Sequence, residues 1–310
     1  MTNRWGDKRY NSLNFFLREK FGEKVIKISL DGGFTCPNRD GLISNKGCIF
    51  CSGRGSGEYA GDRNKSIGEQ FKLGKESMKK KWASGKYIAY FQAFTNTYGS
   101  IEVLRSKYEE ALKEEGVVGL AIATRPDCLS DEVINLLEEM SKKAYLWVEL
   151  GLQTKSDETA KLINRGYPLT VFEEGVQKLK NKNIDTVVHT IFGLPGEDEE
   201  QMLNTISYLS KIGIQGIKFH LLYLVKGTGL EELYREGKLS FLERDQYVNL
   251  IVKAIALLPP DIVIHRLTGD PPSKLLIEPV WSTHKWEILN QIQNKLETED
   301  IYQGLYNYTK

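Results

Sequence analysis

The feature that most constrains the fold is a rhythm. Short apolar runs recur at Lys24 to Leu30, Tyr87 to Phe94, Val117 to Ala123, Ala144 to Leu150, Thr186 to Phe192 and Ile217 to Val225; from the second onward, mostly amphipathic stretches separate them. Strands that alternate with helices in this way are parallel and joined by right-handed crossovers. The pattern predicts an α/β chain of six such strands, with Ile262 to Leu267 as a candidate seventh. Spacing alone leaves open a doubly wound sheet or a partial barrel. No low-complexity or Pro/Gly/Ser-rich linker interrupts the repeat, so no domain boundary falls inside it.

Ahead of the first strand, Leu13, Phe16, Leu17 and Phe21 share one helical face and Gly22 follows as a stop, which predicts a lead-in helix. Residues 66–82 read as a charged helix. In parallel α/β folds, function gathers at the carboxyl ends of the strands. Those ends carry Gln92 with Thr95, Asn96 and Thr97, then Thr124 to Cys128, and then Glu149 and Gln153. His189 with Gly193 to Gly196, Tyr223, Lys226 and Thr228, and finally His265, Arg266 and Asp270 complete the set. One polar residue at a strand end is ordinarily a cap or a turn. A whole set converging on one rim points to a site.

Three of the four cysteines, Cys36, Cys48 and Cys51, sit on the loop after the first strand. Thiolates at this spacing suit a metal centre, and two kinds fit. A zinc knuckle would need a fourth ligand such as Cys128 or His189; a [4Fe–4S] cluster held by three cysteines would leave one iron open to a ligand. The glycines of Ser52 to Gly57 permit close backbone approach, or simply make a flexible loop. Cys128 is alone, which favours a small buried apolar residue. Trp147, Trp281 and Trp286 fall within apolar patterns and are expected in the core, as is His220.

The formal charge of +1 over 310 residues neither demands nor excludes nucleic acid, for which Lys79, Lys80, Lys81 and Lys86 offer a local patch. Clustered cysteines, a polar N-terminus without a signal-peptide core and no membrane-length apolar run lead us to expect a cytoplasmic protein.

Several stretches resemble one family when taken in order behind the cysteine loop. They are Phe50 before the last cysteine, Thr124-Arg-Pro-Asp127, Val148-Glu-Leu-Gly-Leu-Gln-Thr154, Asn164-Arg-Gly166, His189 to Gly196 ending in Gly-Leu-Pro-Gly, Val225-Lys-Gly-Thr-Gly229 and His265-Arg266. The chain is similar to radical S-adenosylmethionine (SAM) enzymes, to their Elp-three-like group and most closely to the bacterial YhcC/YtqA-like branch. The resemblance implies a partial (β/α)6 TIM-like barrel over residues 24–270, with an N-terminal extension over 1–23 and a helical C-terminal one over 271–310.

It also implies a [4Fe–4S] cluster on Cys36, Cys48 and Cys51, with SAM on the fourth iron. Phe50, Gln92, Thr95, Asn96, Thr97, Glu149, Gln153, Arg165, His189 and Gly193 would bind the cofactor, and Lys226, His265 and Arg266 the substrate. A reduced flavodoxin or ferredoxin would donate the electron that yields a 5′-deoxyadenosyl radical. Two departures stand out. The first arm is Cys-x11-Cys rather than Cys-x3-Cys, and Ala123 stands where relatives often carry a glutamate.

A single leftover cysteine speaks against a second cluster and against a two-cysteine methylase. The short stretch after the barrel speaks against an acetyltransferase domain. The expected activity is hydrogen abstraction on an external substrate, foremost the side chain of a wobble uridine in tRNA. One form would remove the carboxymethyl part of a carboxymethylaminomethyl group. A tetrapyrrole carboxylate is the small-molecule alternative, and a non-catalytic zinc-binding module the third reading.

Overall fold

The computed structural model describes residues 4–79, 82 and 85–306; Lys80 and Lys81 of the basic patch lie outside them. Seven parallel strands form one curled sheet. Six run in chain order: β1 (Val25–Leu30), β2 (Lys86–Phe91), β3 (Val117–Thr124), β4 (Tyr145–Gln153), β5 (Asp185–Phe192) and β6 (Gly216–Leu221). The candidate seventh run is real and closes the row on β6 as the eighth strand of the chain, β8 (Val263–Arg266). Between them the run expected as one strand to Val225 breaks at Leu222. Its end forms β7 (Leu224–Val225), which pairs antiparallel with β9 (Leu276–Glu278). The run reads as continuous because Leu222, Leu224 and Leu230 pack into a separate core with Ile163, Ile191 and Leu194.

The helices are α1 (Leu13–Phe21), α2 (Ile67–Lys79), α3 (Ile101–Leu112), α4 (Asp131–Lys143), α5 (Asp157–Leu162), α6 (Leu169–Asn181), α7 (Glu199–Leu209), α8 (Leu230–Arg235), α9 (Arg244–Leu257) and α10 (Lys285–Thr298). Strand residues facing the main core include Ile26, Ile28, Leu30, Ala89, Phe91, Ile122, Val148, Val188 and Phe219, all buried. Alternate residues face the concave side, since side chains change face at every step.

That concave side is plugged at one end by α1. Ser12 caps the helix, accepting from the Phe15 amide (3.2 Å), and Gly22 ends it at φ 75°. Leu17 then packs on Val25, Ile88, Ala121, Trp147 and Val187. The preceding segment covers the β8 edge, with the Ile264 amide donating to the Asn11 carbonyl (2.7 Å).

At the other terminus, Ile288, Ile292 and Leu296 of α10 are fully buried. Trp286 was expected in the core and is instead 76% exposed. It stands two residues before Ile288, about 200° around the helix from the buried stripe. Trp147 is fully buried, and Trp281 is half-buried against the core.

Candidate functional site

The cysteine loop leaves β1 and folds against the ends of β3 and β4. Cys36, Cys48 and Cys51 are half-buried free thiols. Arg39 donates to the carbonyls of Cys51 (2.6 Å) and Ser52 (2.7 Å), closing the loop on itself. Asn38 donates to Cys48 Sγ (3.5 Å) and the Asn164 carbonyl (2.7 Å), while Asn164, at φ 53°, donates to the Gly47 carbonyl (2.6 Å).

Burial pushes the Cys48 thiol up to about 12, helped by the neighbouring Cys51 and opposed by Arg125 and Asn38. Burial also raises Cys51, against the pull of Arg39 and Ser56. Bound iron would have to displace these protons, and the cations and N–H···S contacts would then stabilise the thiolates. Among the described residues no three Cys, His, Asp or Glu side chains converge on a single-ion site. Three thiols on one loop, with Arg39, Arg125 and Asn38 beside them to offset their charge, are the donor set that a three-cysteine cluster would take.

Under the loop lies a carboxylate. Glu149 points into the barrel and is 1% exposed. It accepts from Tyr90 Oη (2.8 Å), Trp147 Nε1 (2.9 Å) and Lys218 Nζ, and bonds His189 Nε2 (2.8 Å). Burial opposes its ionisation, yet Lys218 and His189 outweigh that and hold the carboxyl well below its usual range. His189 stacks on His220 with ring centres 5.1 Å apart. Burial and Lys218 push His189 down to about 4, so both it and the similarly depressed His220 are neutral at pH 7.

The other residues singled out from the sequence divide into two groups. Glu149, His189, His265 and Arg266 share the barrel interior; His265 meets Trp147 edge-on, and Arg266 pairs with Asp270 at 3.3 Å. Gln92 to Thr97 sits at the rim. Gln92 donates to the Ser56 carbonyl (2.9 Å), next to the cysteine loop. Phe94, at φ 59°, stacks so closely on Gly55 that a Cβ there would lie 2.5 Å from the ring.

Thr95, Asn96 and Thr97 are buried. Asn96 ties the carbonyls of Phe91 (3.2 Å) and Ala123 (2.8 Å) together, and Thr97 meets Thr124 (2.6 Å) and the Cys128 carbonyl (2.7 Å). Arg165 is fully buried and clamps the carbonyls of Leu152 (2.7 Å), Thr154 (2.7 Å) and Tyr167 (3.0 Å). Its contacts are to backbone and Asp157, so it positions the loop that carries Asn164. Gln153 is half-buried at φ 62°, and Phe50 packs beside the second core. Gly193 takes φ 86° after β5, and Lys226 is exposed beyond β7.

Sequence reasoning missed Tyr90, Lys218 and Lys27. Their signal was a polar residue inside an apolar strand, at the same parity as Glu149 and His189. Such a lysine is ordinarily taken for the solvent face; here the concave face is the polar one. Arg39 was missed as well, and Arg125 was read only as part of the strand-end stretch Thr124 to Cys128, without a role of its own. Arg125 holds Asp127 through two bonds (2.9 and 2.6 Å) and the Arg165 carbonyl (2.9 Å).

Comparison with known proteins resolves what this geometry belongs to. Residues 41–209 match the Radical SAM superfamily model and residues 214–298 the Radical_SAM C-terminal domain. The chain belongs to the radical SAM superfamily. It is 50% identical over 300 residues to uncharacterized protein YtqA of Bacillus subtilis, covering 97% of this chain and 93% of that one. Protein YhcC of Escherichia coli is 34% identical over 295 residues, covering 95% and 94%. A weaker likeness, 26% over 198 residues, links 61% of this chain to 36% of the tRNA uridine(34) acetyltransferase of Methanocaldococcus jannaschii. Among solved structures, Elp3 of Methanocaldococcus infernus shares the fold, with a TM-score of 0.70 at 18% identity over 90% of this chain and 64% of that one. Enzymes of this superfamily use a [4Fe–4S] cluster and SAM.

Proposed function

We propose that this radical SAM protein modifies the side chain of a wobble uridine in tRNA. The likeness over 61% of the chain to a tRNA uridine(34) acetyltransferase carries the reading. Cys36, Cys48 and Cys51 would hold the cluster, and Gln92 to Thr97 and Gln153 line the rim where SAM would lie. When bound, cluster and SAM supply a 5′-deoxyadenosyl radical that takes a hydrogen atom from the substrate.

This chain's own residues shape the chamber. Glu149 and Lys218 fix its polar floor, Trp147 and the α1 plug seal it from water below, and neutral His189 and His220 offer hydrogen bonds without adding charge. Lys79 and Lys86 bear on the basic patch; Lys86 is engaged by Glu23 at 3.3 Å, so exposed Trp286 is the better candidate to stack on a base.

The specific reaction we propose converts a carboxymethylaminomethyl group to an aminomethyl group. The carbon between nitrogen and carboxylate is oxidised by two electrons, the C–N bond is cleaved, and water supplies the oxygen of the released glyoxylate. Bound SAM would supply the two-electron oxidising equivalent, leaving methionine and 5′-deoxyadenosine as its products, with one proton released overall. Nucleoside mass spectrometry on tRNA from cells lacking the protein should show the carboxymethylaminomethyl uridine accumulating, and reconstituted protein should convert it in vitro. Unchanged wobble uridines and no conversion would end the RNA reading.

A further inference from the structure

Lys27, on the same concave face as Glu149, has no ion-pair partner among the described residues. Its Nζ lies 5.0 Å from the centre of the Tyr90 ring, and Lys218 Nζ lies 4.5 Å from the same centre. Arg266 on β8 looks into the same space. The anions facing these cations are few. Glu149 is taken by Lys218, Tyr90, Trp147 and His189. Asp270 is shared between Arg266 (3.3 Å) and Lys285 (2.7 and 2.8 Å). Glu149 and Asp270 are thus already paired with Lys218, Arg266 and Lys285, and Lys27 has no ion pair among the described residues. An interior amine without a counter-charge is costly unless something supplies it.

Two more observations point to an occupant. His220 Nε2 and His265 Nδ1, on the neighbouring strands β6 and β8, are buried with no hydrogen-bond partner. Buried polar atoms are rarely left so unless a ligand or water completes them. Lys27 is moreover depressed by its burial, which Glu149 offsets in part and Arg266 and Lys285 reinforce, so an arriving anion would favour its charged form.

We propose that Lys27 and Arg266, with the free imidazole nitrogens of His220 and His265, form a carboxylate-binding subsite inside the barrel that holds the acidic end of the substrate side chain. The inference rests on the tRNA reading for its substrate, but the anion site itself does not. A carboxylate held there would point the carbon beside it outward, toward the cysteine loop. Reaction on a group lacking the carboxylate would be disfavoured because Lys27 would stay unpaired.

Two arms test this. Crystals of the cluster-loaded enzyme soaked in sodium bromide should show an anomalous peak in contact with Lys27 Nζ and Arg266, absent in Lys27→Met and present in Lys27→Arg. In the second arm, binding of tRNA bearing carboxymethylaminomethyl uridine is compared with tRNA bearing aminomethyl uridine. Lys27→Met should weaken the first by about tenfold or more and leave the second unchanged, and Lys27→Arg should restore it. A bromide peak without discrimination between wild-type binding of the two tRNAs would retain the anion site and sink its tRNA assignment. No bromide peak would overturn the subsite. Equal weakening of both tRNAs by Lys27→Met would also overturn it, since the cation would then be meeting phosphate rather than the side-chain carboxylate.

Discussion

Two layers of the same barrel interior, one step of the strand repeat apart, behave as opposites. The lower layer holds Val25, Ile88, Trp147 and Val187, all packed on α1. Two residues further along the same strands stand Lys27, Tyr90, Glu149 and His189, bonded to one another or open to the chamber. The backbone is continuous between them and the register is parallel throughout. The difference is cover. Where α1 fills the barrel, burial of apolar area stabilises the layer by about 25 cal/mol per Å2. Where no helix enters, side chains must satisfy one another or a ligand, and polar types appear at the same parity. Trp147 joins the two, apolar below and donating to Glu149 above.

Emptying the cysteine loop above the upper layer should have the largest effect on the function. Alanine at Cys36, Cys48 and Cys51 together should abolish iron binding, about four irons per chain by chemical analysis, together with SAM cleavage, while circular dichroism stays native. Retained cluster iron would remove the loop from its assigned role.

For stability, matched variants of the layers sharpen the contrast. Glu149→Leu leaves Lys218 buried without its partner and should cost about 3–5 kcal/mol in urea unfolding. Adding Lys218→Met should recover much of that loss. Trp147→Ala should cost a similar 3–5 kcal/mol through a cavity, with no single partner change able to recover it. If Lys218→Met fails to rescue, the upper layer is held by packing like the lower one.

Acid should separate the layers next. His189 is held near 4 and His220 and His265 lie well below their usual value, each chiefly through burial. The unfolded chain takes up these protons first, so stability is intact above about pH 6.5 and falls as pH drops below it. Each histidine contributes at most about 1.4 kcal/mol per pH unit. Urea midpoints at pH 7 and 5.5 measure the slope, and His189→Gln should flatten it.

The smallest stability effect belongs to the surface. Trp286→Ala should change unfolding by less than about 0.5 kcal/mol, yet weaken tRNA binding by about 1–3 kcal/mol if a base stacks there. Unaltered binding would place the RNA contact elsewhere.

The architecture was legible because strand and helix periods are local. Val117 to Ala123 and Thr186 to Phe192 were read within two residues of β3 and β5, and the lead-in helix matched α1 with its Gly22 stop. The cysteine loop and the polar strand ends were visible for the same reason, since motif and spacing lie along the chain. The break at Leu222 was misread because apolar character does not reveal which of several cores a residue meets, and Trp286 because apolar character does not reveal a residue's phase on the helix.

The sequence alone thus determined the alternation of parallel strands and helices, the thiol trio and the family they resemble. Only the tertiary structure decided that Glu149 meets Lys218, 69 residues away, and that Lys27, over the Tyr90 ring, has no ion pair among the described residues. Which charges neutralise one another depends on sheet curvature and on how far α1 penetrates. Those are properties of the closed barrel, and no single segment encodes them.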